Sequence, residues 1–419
     1  MLDPRPGRTA YPSPSRLLSK AKLRSAWNLS RDSTKRAGRG GTDGITAQSF
    51  AAKLDDNLTK IARLLKTGEY GLSSLKPVFI PKPNSDLDRL ICIPTVRDRL
   101  VQRTIVEYLV SKNKLPINNS SSFGFIRGRG TKEAISIAIG LRQKYLWCLK
   151  TDIESFFDRI PRQYLKKRVS DSLKVHSLTP ILYRVIDCEV KESENDKHKF
   201  QKHKIKRGEG VRQGMPLSPI LSNLVLSEFD FDIEKRKIKM VRYADDLILF
   251  FNSKAETIAG EKLVRELLQK IQLHIPQIDD QSKTQIIAPR EPVDFLGREI
   301  VFMENSNSFV ARVSKKQIMK IRARLAEEYS YTNQCKKNST FQATIVELSK
   351  SVSAYLGIYK DASNFIHFES ELRSEARGIL SSILRDVFGE TVLAAVTIQG
   401  QKFLGLGTLD LPEPVDELE

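Results

Sequence analysis

Ile238-Lys239-Met240-Val241-Arg242-Tyr243-Ala244-Asp245-Asp246-Leu247-Ile248-Leu249-Phe250-Phe251 is the stretch whose reading decides the fold. Two short runs rich in apolar and aromatic residues flank Ala244-Asp245-Asp246, and such runs around a polar break read as the strands of a hairpin. Taken alone, paired aspartates at a hairpin tip suit a plain turn, because Asp bonds its own backbone there. Upstream, Tyr145-Leu146-Trp147-Cys148-Leu149-Lys150-Thr151-Asp152 reads as a further strand, largely apolar and closed by a third acid. Clustered carboxylates raise one another's pKa unless a cation neutralises them. Mg2+ suits that task, since it takes one or two carboxylates together with phosphate oxygens and water. Two such ions activate a hydroxyl and stabilise a leaving pyrophosphate in an in-line displacement.

Outward from this centre, Pro216 to Leu226 reads as a turn feeding a helix, and residues 44–112 mix short helices with an extended stretch. That stretch is Lys76-Pro77-Val78-Phe79-Ile80-Pro81-Lys82-Pro83-Asn84; its three prolines exclude helix, and Pro-Asn marks a hairpin tip. From Ser314 the period becomes helical: Ser314 with Gln317 fits a capping box, and Ile318, Ile321 and Leu325 form an apolar stripe. A second helical pattern runs from Phe341 to about Tyr359. Strands in the middle and helices afterwards predict an α+β chain with a helical C-terminal subdomain.

The chain has 419 residues, enough for two or three packed subdomains. Lys+Arg 69 against Asp+Glu 50 leaves a net charge of +19, which calls for a polyanionic partner such as nucleic acid or an acidic membrane surface. No apolar run is long enough to span a membrane. Cys92, Cys148, Cys188 and Cys335 are scattered without a C-x-x-C pair, which excludes a zinc ribbon and a disulfide framework and predicts a reducing compartment. Residues 1–40 read as a basic arm or a solvated tail, and 391–419 as an acidic tail that keeps off phosphate.

In this order along the chain, several blocks resemble the reverse transcriptases, in particular the bacterial branch with group II intron and retron enzymes. Gly41-Thr42-Asp43-Gly44-Ile45-Thr46 is similar to the leading block of the intron type. Ile80 to Arg99, with Ile93-Pro94-Thr95-Val96-Arg97-Asp98-Arg99, is similar to a fingers block, as is Ser122-Phe123-Gly124-Phe125-Ile126-Arg127-Gly128-Arg129. Lys150 to Ile160 resembles the first palm motif, Arg212 to Pro219 the Q-G-x-x-x-S-P motif, Tyr243-Ala244-Asp245-Asp246 the Y-x-D-D box, and Phe295-Leu296-Gly297 the closing strand before the thumb. The resemblance implies a right-hand polymerase with fingers (41–140), palm (141–300, with part of the fingers inserted) and helical thumb (301–390).

It also implies RNA-directed DNA synthesis with Asp152, Asp245 and Asp246 as catalytic acids. Two Mg2+ ions, with Mn2+ able to substitute, would be held by those acids and by Ile153, which offers only backbone atoms. In this family the second Asp of the box sometimes supports rather than coordinates. Phe157 stands where the family sets an aromatic ring beneath the sugar, so that a 2′-hydroxyl clashes; without the motif it is a core Phe beside Phe156. Gln213 would contact the incoming nucleotide, Lys82 and Arg89 its phosphates, and Lys283 the departing pyrophosphate; for these cations a solvated face is the plain alternative. Lys316, Lys320 and Arg324 recur at i, i+4 and i+8, which suits phosphate tracking along an A-form-like duplex. A second basic cluster, Lys197 to Arg207, reads as a hairpin or surface loop that either holds a structured RNA or is simply solvated.

Where intron enzymes carry R-P-L-G, this chain has Arg89-Leu90-Ile91-Cys92, and no V-T-G follows the F-L-G block as in retron enzymes. The segment after Gly297 has room for a thumb but not also for a DNA-binding domain and an H-N-H endonuclease, as in compact standalone or defence-associated enzymes. The expected partners are therefore an RNA template and a DNA primer or product, with one dedicated noncoding RNA, antiphage defence and a homo- or hetero-oligomer within reach of the reading. The expected setting is the bacterial cytoplasm. Two other functions fit the same residues: an untemplated or protein-primed DNA polymerase, and an RNA-binding intron-splicing cofactor.

Overall fold

A computed structural model describes residues 14–29, 40–80, 88–174, 176–192, 197–203, 206–279, 282–391, 397 and 399–400. Two compact units emerge, one within residues 1–141 and 145–286, the other within 142–144 and 287–419.

The first unit opens with α1 (Lys20–Leu29), α2 (Ala47–Ala52) and α3 (Leu54–Thr67). α1 lies inside the stretch expected as a free basic arm, yet it buries Leu23, Ala26 and Trp27 and packs on the following helices. Its apolar face joins the core while Lys20 and Arg24 reach Asp55 at the surface. β1 (Lys76–Ile80) and β2 (Arg89–Ile93) then pair antiparallel, with Ile80 opposite Arg89, as the proline-rich stretch predicts. The hairpin tip itself lies outside the described residues. α4 (Val96–Ser111) starts on Thr95, whose hydroxyl accepts from the Asp98 amide, and α5 (Thr131–Lys144) leads into β3 (Trp147–Asp152).

After β3 come α6 (Phe156–Arg159), α7 (Arg162–Leu173), α8 (Thr179–Ile186) and α9 (Lys197–His203). α9 corrects the reading of this basic cluster as a loop or hairpin. Phe200 is buried, edge-on to Phe79 of β1 at 5.4 Å, and the Lys199 ammonium stands over the same ring at 5.1 Å, so this short polar helix rests on β1. α10 (Ser218–Lys235) is buried almost all round, as its sequence of Ile, Leu, Val and Phe requires. β4 (Lys239–Tyr243), β5 (Asp246–Phe251), α11 (Lys254–Gln269) and β6 (Gln285–Ile287) complete the set. The sheet order is β4-β5-β3-β6. β5 is interior because Leu247 to Phe251 are apolar on both faces and all buried.

The second unit begins with a three-stranded antiparallel sheet, β7 (Val293–Phe295), β8 (Arg298–Met303) and β9 (Ser308–Arg312). The Phe295-Leu296-Gly297 block is thus not a strand throughout, and it does not join the four-stranded sheet. Leu296 and Gly297 both have positive φ and form the two-residue turn between β7 and β8. Helices α12 (Lys315–Glu328), α13 (Tyr331–Lys336), α14 (Phe341–Tyr359) and α15 (Phe365–Phe388) follow. The predicted stripe of Ile318, Ile321 and Leu325 is buried against residues such as Leu348, Phe368 and Leu372, and Ser314 caps α12 by accepting from the Gln317 amide. No described helix is long and apolar enough to cross a membrane.

Candidate active site

Strand register brings the three acids to one corner. In the antiparallel pairing of β3 with β5, Asp152 lies opposite Asp246, and in that of β4 with β5, Tyr243 lies opposite Asp246. Ala244 and Asp245 are the two-residue turn between β4 and β5. Ala244 takes φ +58°, a conformation that turn chemistry normally gives to glycine. The Ile153 amide donates to the Asp245 carbonyl at 3.1 Å, which ties the turn to the end of β3. Gly124 presses on it from outside: a Cβ there would stand 2.4 Å from the Ala244 nitrogen.

Sequence reasoning missed the frame beneath this turn. Arg242 is fully buried, donates to both oxygens of the equally buried Asp230 at 2.7 and 2.5 Å, and also reaches the Asn223 side-chain oxygen and the Ala244 carbonyl. Asn223 in turn donates to the Gly124 carbonyl at 2.8 Å. The available signal was an arginine inside an apolar strand next to the acids. A buried charge needs a buried partner.

Two lysines stand among the acids. Lys283 Nζ donates to Asp152 Oδ2, and its segment is held by the Thr284 hydroxyl, 2.7 Å from that of Thr151 in β3. Lys150, largely buried within β3, reaches Asp246 Oδ1 at 3.3 Å. Burial opposes the charge on Lys283, but its bond to Asp152 and the charges of all three acids outweigh this and raise its pKa. Asp245 has its pKa raised chiefly by burial, with Asp246 and Asp152 adding to the effect against the pull of Lys283.

The donor set fits a divalent cation. Asp152 Oδ1 is buried with no hydrogen-bond partner, and a carboxylate oxygen in that condition is the acceptor a metal would satisfy. The half-buried Asp245 is destabilised as an anion and would gain from a cation nearby. Asp246, by contrast, already has the Lys150 ammonium. Among the described residues no group of three His, Cys, Asp or Glu side chains is already gathered as a metal cage.

The remaining candidates lie on several separate elements. Phe157 is half-buried on α6, with its ring 5.5 Å from that of Phe156. Gln213 is docked on β2 through its carbonyl, which accepts from the Cys92 amide at 2.7 Å. Gly214 allows that approach, since a Cβ there would meet the Cys92 carbonyl oxygen at 2.4 Å. Arg89 is exposed at the start of the same strand, and Lys82 lies outside the described residues. Lys316, Lys320 and Arg324 are exposed along α12, in the second unit, whereas Arg322 on that helix is tied to Glu371 and Glu375 of α15.

A family model described as reverse transcriptase (RNA-dependent DNA polymerase) matches residues 80–300. Protein YkfC of Escherichia coli strain K12 is 30% identical over 213 residues, covering 49% of this chain and 52% of YkfC. The group II intron-encoded protein LtrA of Lactococcus lactis subsp. cremoris is 27% identical over 207 residues, covering 49% of this chain and 33% of LtrA. The Ec83 retron reverse transcriptase of Escherichia coli is 28% identical over 177 residues, covering 40% and 49%. The chain thus spans about half the length of these relatives, or less.

Proposed function

Because this chain belongs to the reverse transcriptase (RNA-dependent DNA polymerase) family, we propose that it adds dNTPs to a primer 3′-hydroxyl on an RNA template. The observation that carries this reading is the register that sets Asp152 opposite Asp246 with Asp245 at the adjoining turn, leaving a buried Asp152 oxygen without a partner. The family works with divalent metal ions, and we assign two Mg2+, with Mn2+ able to substitute, to Asp152, Asp245 and the Ile153 backbone, supported by Asp246. Such ions, when bound, activate the 3′-hydroxyl and stabilise the leaving pyrophosphate.

The chain's own residues supply binding and selection. Lys150 keeps Asp246 neutralised, so the corner tolerates three acids before any substrate arrives. Lys283 is mostly exposed and can leave Asp152 to meet pyrophosphate oxygens, as a mobile ammonium at the end of a flexible stem does. Phe157 excludes a 2′-hydroxyl by bulk, Gln213 contacts the nucleotide, and Arg89 with Lys82 meets its phosphates. Lys316, Lys320 and Arg324 follow the backbone of the primer–template duplex. The template we favour is a dedicated noncoding RNA in the bacterial cytoplasm, with antiphage defence as the purpose and a homo- or hetero-oligomer as the working form.

The test is to purify the protein with its co-purifying nucleic acid, add Mg2+ and labelled dNTPs, and sequence both RNA and product. DNA complementary to one enriched RNA is the expected result. DNA without a complement would replace templated by untemplated synthesis, and a bound RNA with no DNA would favour a splicing scaffold.

A further inference from the structure

We infer that Glu189, through Arg162 and Arg212, is a positioning residue for sugar selection, locking the segment that ends in Gln213 against the short helix that carries Phe157. This rests on the polymerase reading above and names a determinant within it. Glu189 follows α8, outside every block that resembles the family's motifs, and touches neither Phe157 nor Gln213.

The bonds converge from both sides. Glu189 Oε1 is 2.7 Å from Arg162 Nη1, and its Oε2 is 2.9 Å from Arg212 Nη2. The Gly208 amide donates to Glu189 Oε1 at 3.0 Å. Arg162 then donates through Nε to the Gly210 carbonyl at 2.9 Å, and Arg212 through Nη2 to the Lys206 carbonyl at 3.0 Å. One carboxylate therefore gathers residues 206–212, the run immediately before Gln213.

That run lies edge to edge on the helix with Phe157. The Val211 amide donates to the Phe157 carbonyl at 2.7 Å, and the Gly210 amide to the Ile160 carbonyl at 3.0 Å. Contact is so close that Gly210, at φ +71°, has no room for a side chain: a Cβ would stand 2.5 Å from the Asp158 carbonyl oxygen. Both arginines are buried, and Arg162 Nη2 with Arg212 Nε and Nη1 have no hydrogen-bond partner. Two guanidinium groups with nitrogens left unpaired share one carboxylate, so the lock depends on that charge.

Rejection of a 2′-hydroxyl by a ring is a test of distance between the ring and a nucleotide held from Gln213. Letting the two segments part admits the larger sugar while the acids, which do not depend on Glu189, still work. Glu189→Gln keeps the shape and removes the charge. Single-nucleotide insertion on an RNA template should show dNTP-over-rNTP discrimination falling by about 10- to 100-fold, because a misplacement of about 1 Å can carry an effect of about 10²-fold. The change should come mainly from a raised kcat/KM for rNTP. Gly210→Ala alters no charge but pries the same segments apart, so it should relax discrimination in the same way, and it carries the test if E189Q fails to fold. A folded E189Q or G210A that discriminates like the wild type, or loses dNTP and rNTP insertion equally, overturns the inference while leaving the polymerase reading intact. Wild-type protein that inserts neither nucleotide overturns the polymerase reading, and this inference falls with it.

Discussion

Around the Ala244–Asp245 turn, Arg242 and Asp230 are both fully buried and bonded twice to each other, whereas along α12 Lys316, Lys320 and Arg324 stand in solvent with no ion pair among the described residues. Both regions spend charge, but for different ends. A buried pair fixes geometry because breaking it strands an uncompensated ion in a medium that solvates it poorly. An exposed row fixes nothing and remains available to a polyanion, with a strength that salt can tune. The acids of this corner lie between these extremes, Asp246 paired with the largely buried Lys150 and Asp152 with the mostly exposed Lys283.

The sharpest way to break this comparison is at the acids. Replacing Asp245 and Asp246 together by Asn should lower dNTP addition by about 10³-fold or more, the scale of losing groups that act as a unit. The fold should persist, because Asn keeps the side-chain shape and the relief of repulsion among the acids offsets the loss of the Lys150 partner. Activity near the wild-type level in that double variant would mean that the corner is a scaffold. Next comes Arg242→Met, which strands Asp230 and should cost about 3–5 kcal/mol in urea unfolding. A loss of only a few tenths would show that the frame is not what holds the turn.

A smaller effect is set by pH. Burial works to raise the Glu189 pKa, but the Gly208 amide and the two arginines outweigh it and hold the carboxyl below its ordinary 4.5. A carboxylate depressed in the folded state adds stability above the unfolded value and loses it as pH falls through the folded one. The stability gap between wild type and E189Q should therefore be open at neutral pH and close as the medium is acidified below about 4.5. A gap that stays constant into acid would remove the charge from the argument.

The smallest expected change in stability belongs to α12. Lys316→Glu, Lys320→Glu and Arg324→Glu should each move stability by no more than about 0.5 kcal/mol, as surface changes do. Each should weaken binding to an RNA–DNA duplex and lower the salt slope by about 1. An unchanged slope for the triple variant would make the row a solvated face.

Much of the local structure was legible. The hairpin around Asp245 and Asp246, the strand ending at Asp152, the Ser314 cap and the helix from Phe341 to Tyr359 all follow from side-chain patterns that a few neighbouring residues define. The basic run from Lys197 was read as a hairpin or surface loop from its place between two motifs, whereas Lys197–His203 is a helix whose Phe200 and Lys199 both meet the Phe79 ring. The Phe295-Leu296-Gly297 block was expected as a closing strand from the family resemblance, while the positive φ angles of Leu296 and Gly297 make those two residues a turn.

By itself, then, the sequence determined most of the elements, since these rest on residue types and short-range spacing, and its ordered blocks carried the family resemblance. Tertiary structure alone decided which charges meet. Lys283 reaches Asp152 across 131 positions, Arg212 reaches Glu189 across 23, and Asp152 faces Asp246 only because β3 and β5 pair in one register. Shifting that register by one residue would turn each side chain of the shifted strand to the other face of the sheet and part the carboxylates. Electrostatic energy depends on separation in space and on burial, and neither is a property of distance along a chain.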